Sequence, residues 1–199
     1  MGTIPAVPVY CRHVAVLISS RIPPSVKLLL SFFLTLFLLL STLVSDANPY
    51  SVTNLRRQYQ QAATSKEAGE KFYKLMAAYD KQDAVVLGYK AAAEAIRARD
   101  ASMFNKLTYV QNANKLFDQA VKLDADNPEI RFLRLSVESN LPAFLGLSPH
   151  VEEDRQFLVS MLLQHPKSGL DAESFALVRN FMVDRGHVSE ADAQKLTQL

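Results

Sequence analysis

Arg131 and Arg134 lie within AVKLDADNPEIRFLRLSVESNLPAFLG (residues 120–146), among Ile130, Phe132, Leu133, Leu135 and Val137. A guanidinium is a planar fork of donors that fits a carboxylate in bidentate fashion. On a helix Arg131, Arg134 and Glu138 fall within about 60° of one another, from the 100° step per residue. Ile130, Leu133 and Val137 flank them on one side, Leu135 and Phe132 on the other. A helix with apolar residues on two sides is sandwiched between neighbours, so its arginines are at least partly enclosed. An enclosed cation needs an acidic or carbonyl partner, because an unpaired buried charge is very costly. Glu138, four residues after Arg134, can supply one partner. Asp154 or Glu94, from adjacent helices, can supply another. The favoured reading is a central packed helix with an internal ion-pair network. The rival reading is a groove in which the arginines clamp a partner's carboxylate beside Tyr89, Phe104 or Tyr109.

Other chemistry is sparse. His150, His165 and His187 each stand near a helix end, and His13 lies in the N-terminal region. His150 and Asp154 are four apart, but no further ligand follows at a spacing that metal sites use. Glu152, Glu153 and Asp154 are consecutive, so on a helix they point in different directions; they read as partners of the helix dipole. There is no glycine-rich phosphate loop, no G-x-S-x-G and no C-x-x-C. No catalytic, cofactor-binding or metal-ligating residue is assigned, and the chain is read as a non-enzyme with no cofactor.

The elements that position these residues are helical nearly throughout. Glycine is scarce and no stretch alternates at period two for long. The pattern predicts helices from Ser51 to about Ala63, Ser65 to about Tyr79, Asp83 to Arg99, and about Phe104 to Leu123. The last of these carries a stripe of Leu107, Val110, Ala113, Phe117 and Ala120. Asp126 or Asn127 caps the fifth, with Pro128 in its first turn, and Asn140 with Pro142 ends it. Further helices follow Ser148-Pro149, Asp171 and Ser189, with His165-Pro166 and Gly186 as stops. The fold class is all-α, with about 7–8 helices.

Ala113, Phe117, Ala120 and Leu123, followed by Asp124-Ala125-Asp126-Asn127-Pro128-Glu129, resemble the second helix and exit turn of a tetratricopeptide repeat, and Leu87-Gly88 resembles the start of its partner helix. The resemblance implies stacked antiparallel helix hairpins of irregular, tetratricopeptide-like form, with a surface suited to a protein or peptide partner. The wider stretch, from LGYKAAAEAIRA through EIRFLRLSVESNLPAFLG to EEDRQF, is similar to exported Bacteroidetes proteins of unassigned function. That similarity implies a bacterial envelope setting.

An address precedes the body. In KLLLSFFLTLFLLLSTLVSDA (residues 27–47) one lysine leads into an uncharged run from Leu28 to Val44, which ends in small residues. This is the pattern of a signal peptide, with cleavage expected between Ala47 and Asn48. The rival is a retained inner-membrane anchor, since a run of 17 residues, broken only by Ser31, Thr35, Ser41 and Thr42, lies at the lower edge of what spans a bilayer. Residues 1–26 are expected to be a disordered upstream extension or a misassigned start, with translation from Val26, and residues 48–199 a single helical domain. Cys11, the one cysteine, is in the extension, so the mature domain has no disulfide. The chain holds 22 basic and 20 acidic residues, and residues 48–199 carry 19 of each. Such balance argues against nucleic-acid binding. The expected function is an exported, periplasmic scaffold or adaptor for a protein or peptide partner. The alternatives are a small periplasmic enzyme or anionic-ligand binder using Arg131 and Arg134, and a membrane-tethered helical protein if residues 28–44 are retained.

Overall fold

Helix starts along the chain are set by short polar side chains that satisfy otherwise orphaned backbone N–H groups. In this computed structural model, which describes residues 48–199 and, before them, only positions 23 and 25, Ser65, Asp83, Asn127, Asp171 and Ser189 each accept a backbone hydrogen bond at a helix N-terminus. The helices are α1 (Val52–Thr64), α2 (Lys66–Ala77), α3 (Ala84–Asp100), α4 (Met103–Leu123), α5 (Pro128–Glu138), α6 (Val151–Leu162), α7 (Ala172–Asp184) and α8 (Glu190–Thr197). A short 3-10 turn, Ala143–Leu145, sits between α5 and α6. The described residues contain no strand and form an all-α body. The expected signal segment, its cleavage side at Ala47 and the 1–26 extension lie outside the described residues. No helix among the described residues is long and apolar enough to cross a membrane.

Pro49–Leu199 make up one compact unit. Its centre is the pair α3 and α5. α3 packs against α1, α2, α4 and α5, while α5 also meets α4 and α6. Every one of the eleven residues of α5 is buried. Small residues allow the close approaches. A Cβ at Gly69 would stand 2.9 Å from Ile96 Cγ2, and one at Gly88 would stand 3.4 Å from Leu133 Cδ1. Bulk is supplied around them by Leu55, Phe72, Met76, Phe117, Ile130, Leu133, Leu158 and Met182, all essentially inaccessible to water.

From Asp171 on, the chain meets both α1 and α5. Asp171 lies 3.6 Å from the Arg56 guanidinium on α1, Phe181 meets Phe132 edge to face at 5.3 Å, and Leu196 of α8 is fully buried. One apolar position departs from the expected stripe: Leu107, assigned by periodicity to the core face of α4, is 48% exposed. At Leu107 the reason is a neighbour that is missing: no helix among the described residues covers the first turns of α4 on that side, and the residue lines an open groove instead.

Candidate functional site

The arginines of α5 are held by α6. Asp154, 0% exposed, is brought opposite them because α5 and α6 pack side by side. Arg134 Nε donates to Asp154 Oδ2 at 2.6 Å and Nη2 donates to Oδ1 at 2.8 Å, a bidentate pair. Arg131 Nη1 donates to the same Oδ1 at 2.9 Å and also to Glu153. Arg131 Nε donates to the carbonyl of Ala125 at 3.0 Å, and its guanidinium lies 5.1 Å from the centre of the Phe157 ring. Burial opposes the Arg131 charge, and the bonds to Glu153 and Asp154 outweigh it, so its pKa lies above the ordinary arginine value. Glu153 is held below the usual carboxylate range by the Arg131 hydrogen bond, against a smaller opposing effect of burial. Asp118 lies 3.9 Å from Arg134 Nη1 as well, so the two cations are fully offset by Asp154, Glu153 and Asp118.

Glu138 does not take the place expected for it. Its 1%-exposed side chain accepts from the His150 backbone N–H at 2.9 Å and lies 2.9 Å from His150 Nδ1. Spacing along one helix favours an Arg134–Glu138 pair, but the loop before α6 returns across the end of α5 and captures the carboxylate first. Ser148 Oγ reinforces this by donating to the Glu138 carbonyl at 2.8 Å. Glu94 is likewise elsewhere: one of its oxygens is buried without a partner, and burial raises its pKa. The aromatic residues expected to accompany the arginines are dispersed. Tyr109 meets Tyr73 edge to face beneath Arg97, and Phe104 is 93% exposed. Tyr89 is buried and donates to Glu129.

That last contact belongs to a second charged cluster. Glu129 accepts from Arg56 Nε at 3.2 Å and from Nη2 at 2.9 Å, in addition to Tyr89. Burial opposes the Arg56 charge, but the Glu129 bonds raise its pKa overall; burial and then the Glu129 charge raise that of Tyr89. Nothing in the local spacing announces this cluster, because its members are 40 and 73 residues apart. Among the described residues no group of three or more His, Cys, Asp or Glu side chains could hold a metal ion. His150 and Asp154 are drawn apart, one to Glu138 and the other to the arginines.

Among the described residues there is also an open apolar groove of about 840 Å³. Its floor is the alanine face of α3, at Ala92, Ala95 and Ala98, with Ala63 from the end of α1. One wall is the start of α4, with Met103 and Leu107. The other is the hook after α5, with Leu141, Phe144 and Leu145. The hook is fixed at both ends. Leu141 N–H donates to the Glu138 carbonyl at 3.1 Å, and Asn114 Nδ2 donates to the Leu147 carbonyl at 2.9 Å. Gly146, at φ 63°, lets the chain turn out of the hook in the left-handed region that side chains disfavour. Met103 is 79% exposed and Phe144 86% exposed, so the groove's edges are apolar and wet. Sequence reasoning missed this site. The available signals were Met103-Phe104 in the first turn of a helix and Phe144-Leu145 between Pro142 and Gly146 in a connection. Large apolar side chains in such places have little local reason to be there.

Comparison of the chain with protein-family models, with curated proteins and with solved structures gave no match.

Proposed function

We propose that the protein is an exported helical scaffold or adaptor, without catalysis, that binds a segment of a partner protein in the bacterial cell envelope. The groove between α3, α4 and the hook carries this reading: its floor is apolar, its rims expose Met103, Leu107 and Phe144, and no part of the compact unit covers it. Exposed apolar surface rimmed by polar residues marks sites of association. Export rests on the signal-like pattern of residues 27–47. Packing of chain neighbours, α1 on α2, α2 on α3, α3 on α4 and α5 on α6, supports reading the helices as irregular stacked hairpins of tetratricopeptide-like type.

The alternative, an enzyme or binder that grips an anionic small ligand through Arg131 and Arg134, needs free guanidinium donors. Here Asp154, Glu153 and the Ala125 carbonyl engage both guanidinium groups and offset their charge, which counts against this reading. The test is co-purification from the host with the native chain and with Leu107→Glu/Phe144→Glu. The proposal expects a companion protein that is present with the native chain and lost with the variant. Companions unaffected by the variant would place binding elsewhere. Reading the N-terminus of the recovered protein tests export: a start at Asn48 is expected, and retention of residues 28–44 would replace the exported reading with the tethered one.

A further inference from the structure

The groove also indicates the chemistry of its occupant, an inference that rests on the proposed function. Its polar lining, apart from the Lys106 and Arg185 side chains, is already used internally. Tyr59 and Ser136 hydroxyls bond each other at 3.1 Å, and Asn140 Nδ2 donates to the Ser136 carbonyl at 2.7 Å. Arg99 is spent on the carbonyls of Ala62 and Ala63 and on Asp100. A small molecule would find no convergent donors or acceptors to orient it. It would also leave Met103 and Phe144, on opposite walls, in water. A longer occupant covers both.

That occupant must satisfy its own backbone. The surrounding elements are helices with no strand edge to offer, and unpaired peptide groups are costly on an apolar floor. A helix meets this condition, and the alanine face of α3 leaves room for its side chains to settle. Charge then selects its flanks. Among the described residues the lining contains Arg99, Lys106 and Arg185 and no acidic residue. The backbone N–H groups of Lys106 and Arg185 donate to Ser102 and Phe181, while their side chains make no hydrogen bond or ion pair with the described residues. We infer that the groove binds an amphipathic helix of a partner protein, with large apolar residues on one face and acidic residues flanking them, its acids meeting Lys106 and Arg185.

The test is fluorescence anisotropy of the full chain with two labelled helical peptides of about 18 residues, about five turns. Both carry leucines on one face; one has glutamates on the flanks and its twin has lysines. The glutamate peptide is expected to bind saturably and about tenfold more tightly than the lysine peptide, as two rim ion pairs allow. Lys106→Glu/Arg185→Glu is expected to invert the preference, and Phe144→Ser, at an exposed position with no folding role, to weaken both peptides about tenfold. Equal binding of both peptides, lost in Phe144→Ser, would overturn the acidic assignment while leaving the proposed function standing. Binding of neither peptide would overturn both. A dimer in sedimentation that Phe144→Ser dissociates, with no peptide bound, would make a second copy of the chain the occupant and overturn the inference.

Discussion

Asp154→Asn changes two atoms' worth of chemistry and almost no volume, yet it acts on the most enclosed charge in the unit. The aspartate is 0% exposed and accepts three guanidinium N–H bonds, at 2.6, 2.8 and 2.9 Å. An asparagine amide turns one of those acceptors into a donor that faces other donors, and it removes the negative charge that balances Arg134. Glu153 and Asp118 cannot replace it, because they lie 3.8 and 3.9 Å from Arg134 and their side chains are 56% and 59% exposed. Breaking a buried pair from one side costs about 3–5 kcal/mol. At about 2–4 °C per kcal/mol for a unit of this size, the melting temperature should fall by roughly 6–20 °C. Urea unfolding followed by circular dichroism measures the loss as a lower midpoint at unchanged slope. A companion variant, Arg131→Met/Arg134→Met/Asp154→Leu, removes all three charges and is expected within about 2 kcal/mol of the native protein. A loss below about 1 kcal/mol for Asp154→Asn alone would refute the reasoning, since the arginines would then be finding water or other anions.

Three further outcomes follow from the packing. Tyr89→Phe leaves Glu129 bonded to Arg56 but removes one donor to a buried carboxylate, and unfolding should show a loss of about 1.5–3 kcal/mol. Gly69→Ala gains helix propensity but drives a Cβ to 2.9 Å from Ile96 Cγ2, so a net loss of about 1 kcal/mol is expected in the same assay; a gain would mean that α2 and α3 separate easily. The Arg131 hydrogen bond lowers the Glu153 pKa in the folded state. Its stabilisation is therefore full above the unfolded glutamate value, about 4.3, and is lost as pH falls through the folded value. The difference in stability between the native protein and Glu153→Gln should be under about 1 kcal/mol at pH 7, given the exposure of this side chain, and should vanish in acid.

How much of this was legible beforehand depended on whether the cause was local. Helix starts were local: Ser65, Asp83, Asn127, Asp171 and Ser189 cap where polar residues precede apolar periodicity. The enclosure of Arg131 and Arg134 was also legible, because apolar residues on both sides of their strip require two packed neighbours. Their partner was harder. Asp154 was named as a candidate from an adjacent helix, whereas Glu138 was misplaced because spacing within α5 carries no record of the loop that brings His150 onto it. The Arg56–Glu129–Tyr89 cluster was illegible, since three helices must pack before its members meet. So was the groove. Leu107 continues the apolar stripe of α4, and only the absence of a covering element among the described residues leaves it exposed at the groove.

The central claim is that the groove, and not the arginine strip, is the surface that meets a partner. A photo-crosslinking residue placed at Leu107, and separately at Glu153 beside the arginines, tests it within the host cell. The account predicts a covalent adduct with one protein species from position 107 and none from position 153. An adduct from position 153 with none from 107 would contradict it and return the arginines to the role of a partner clamp.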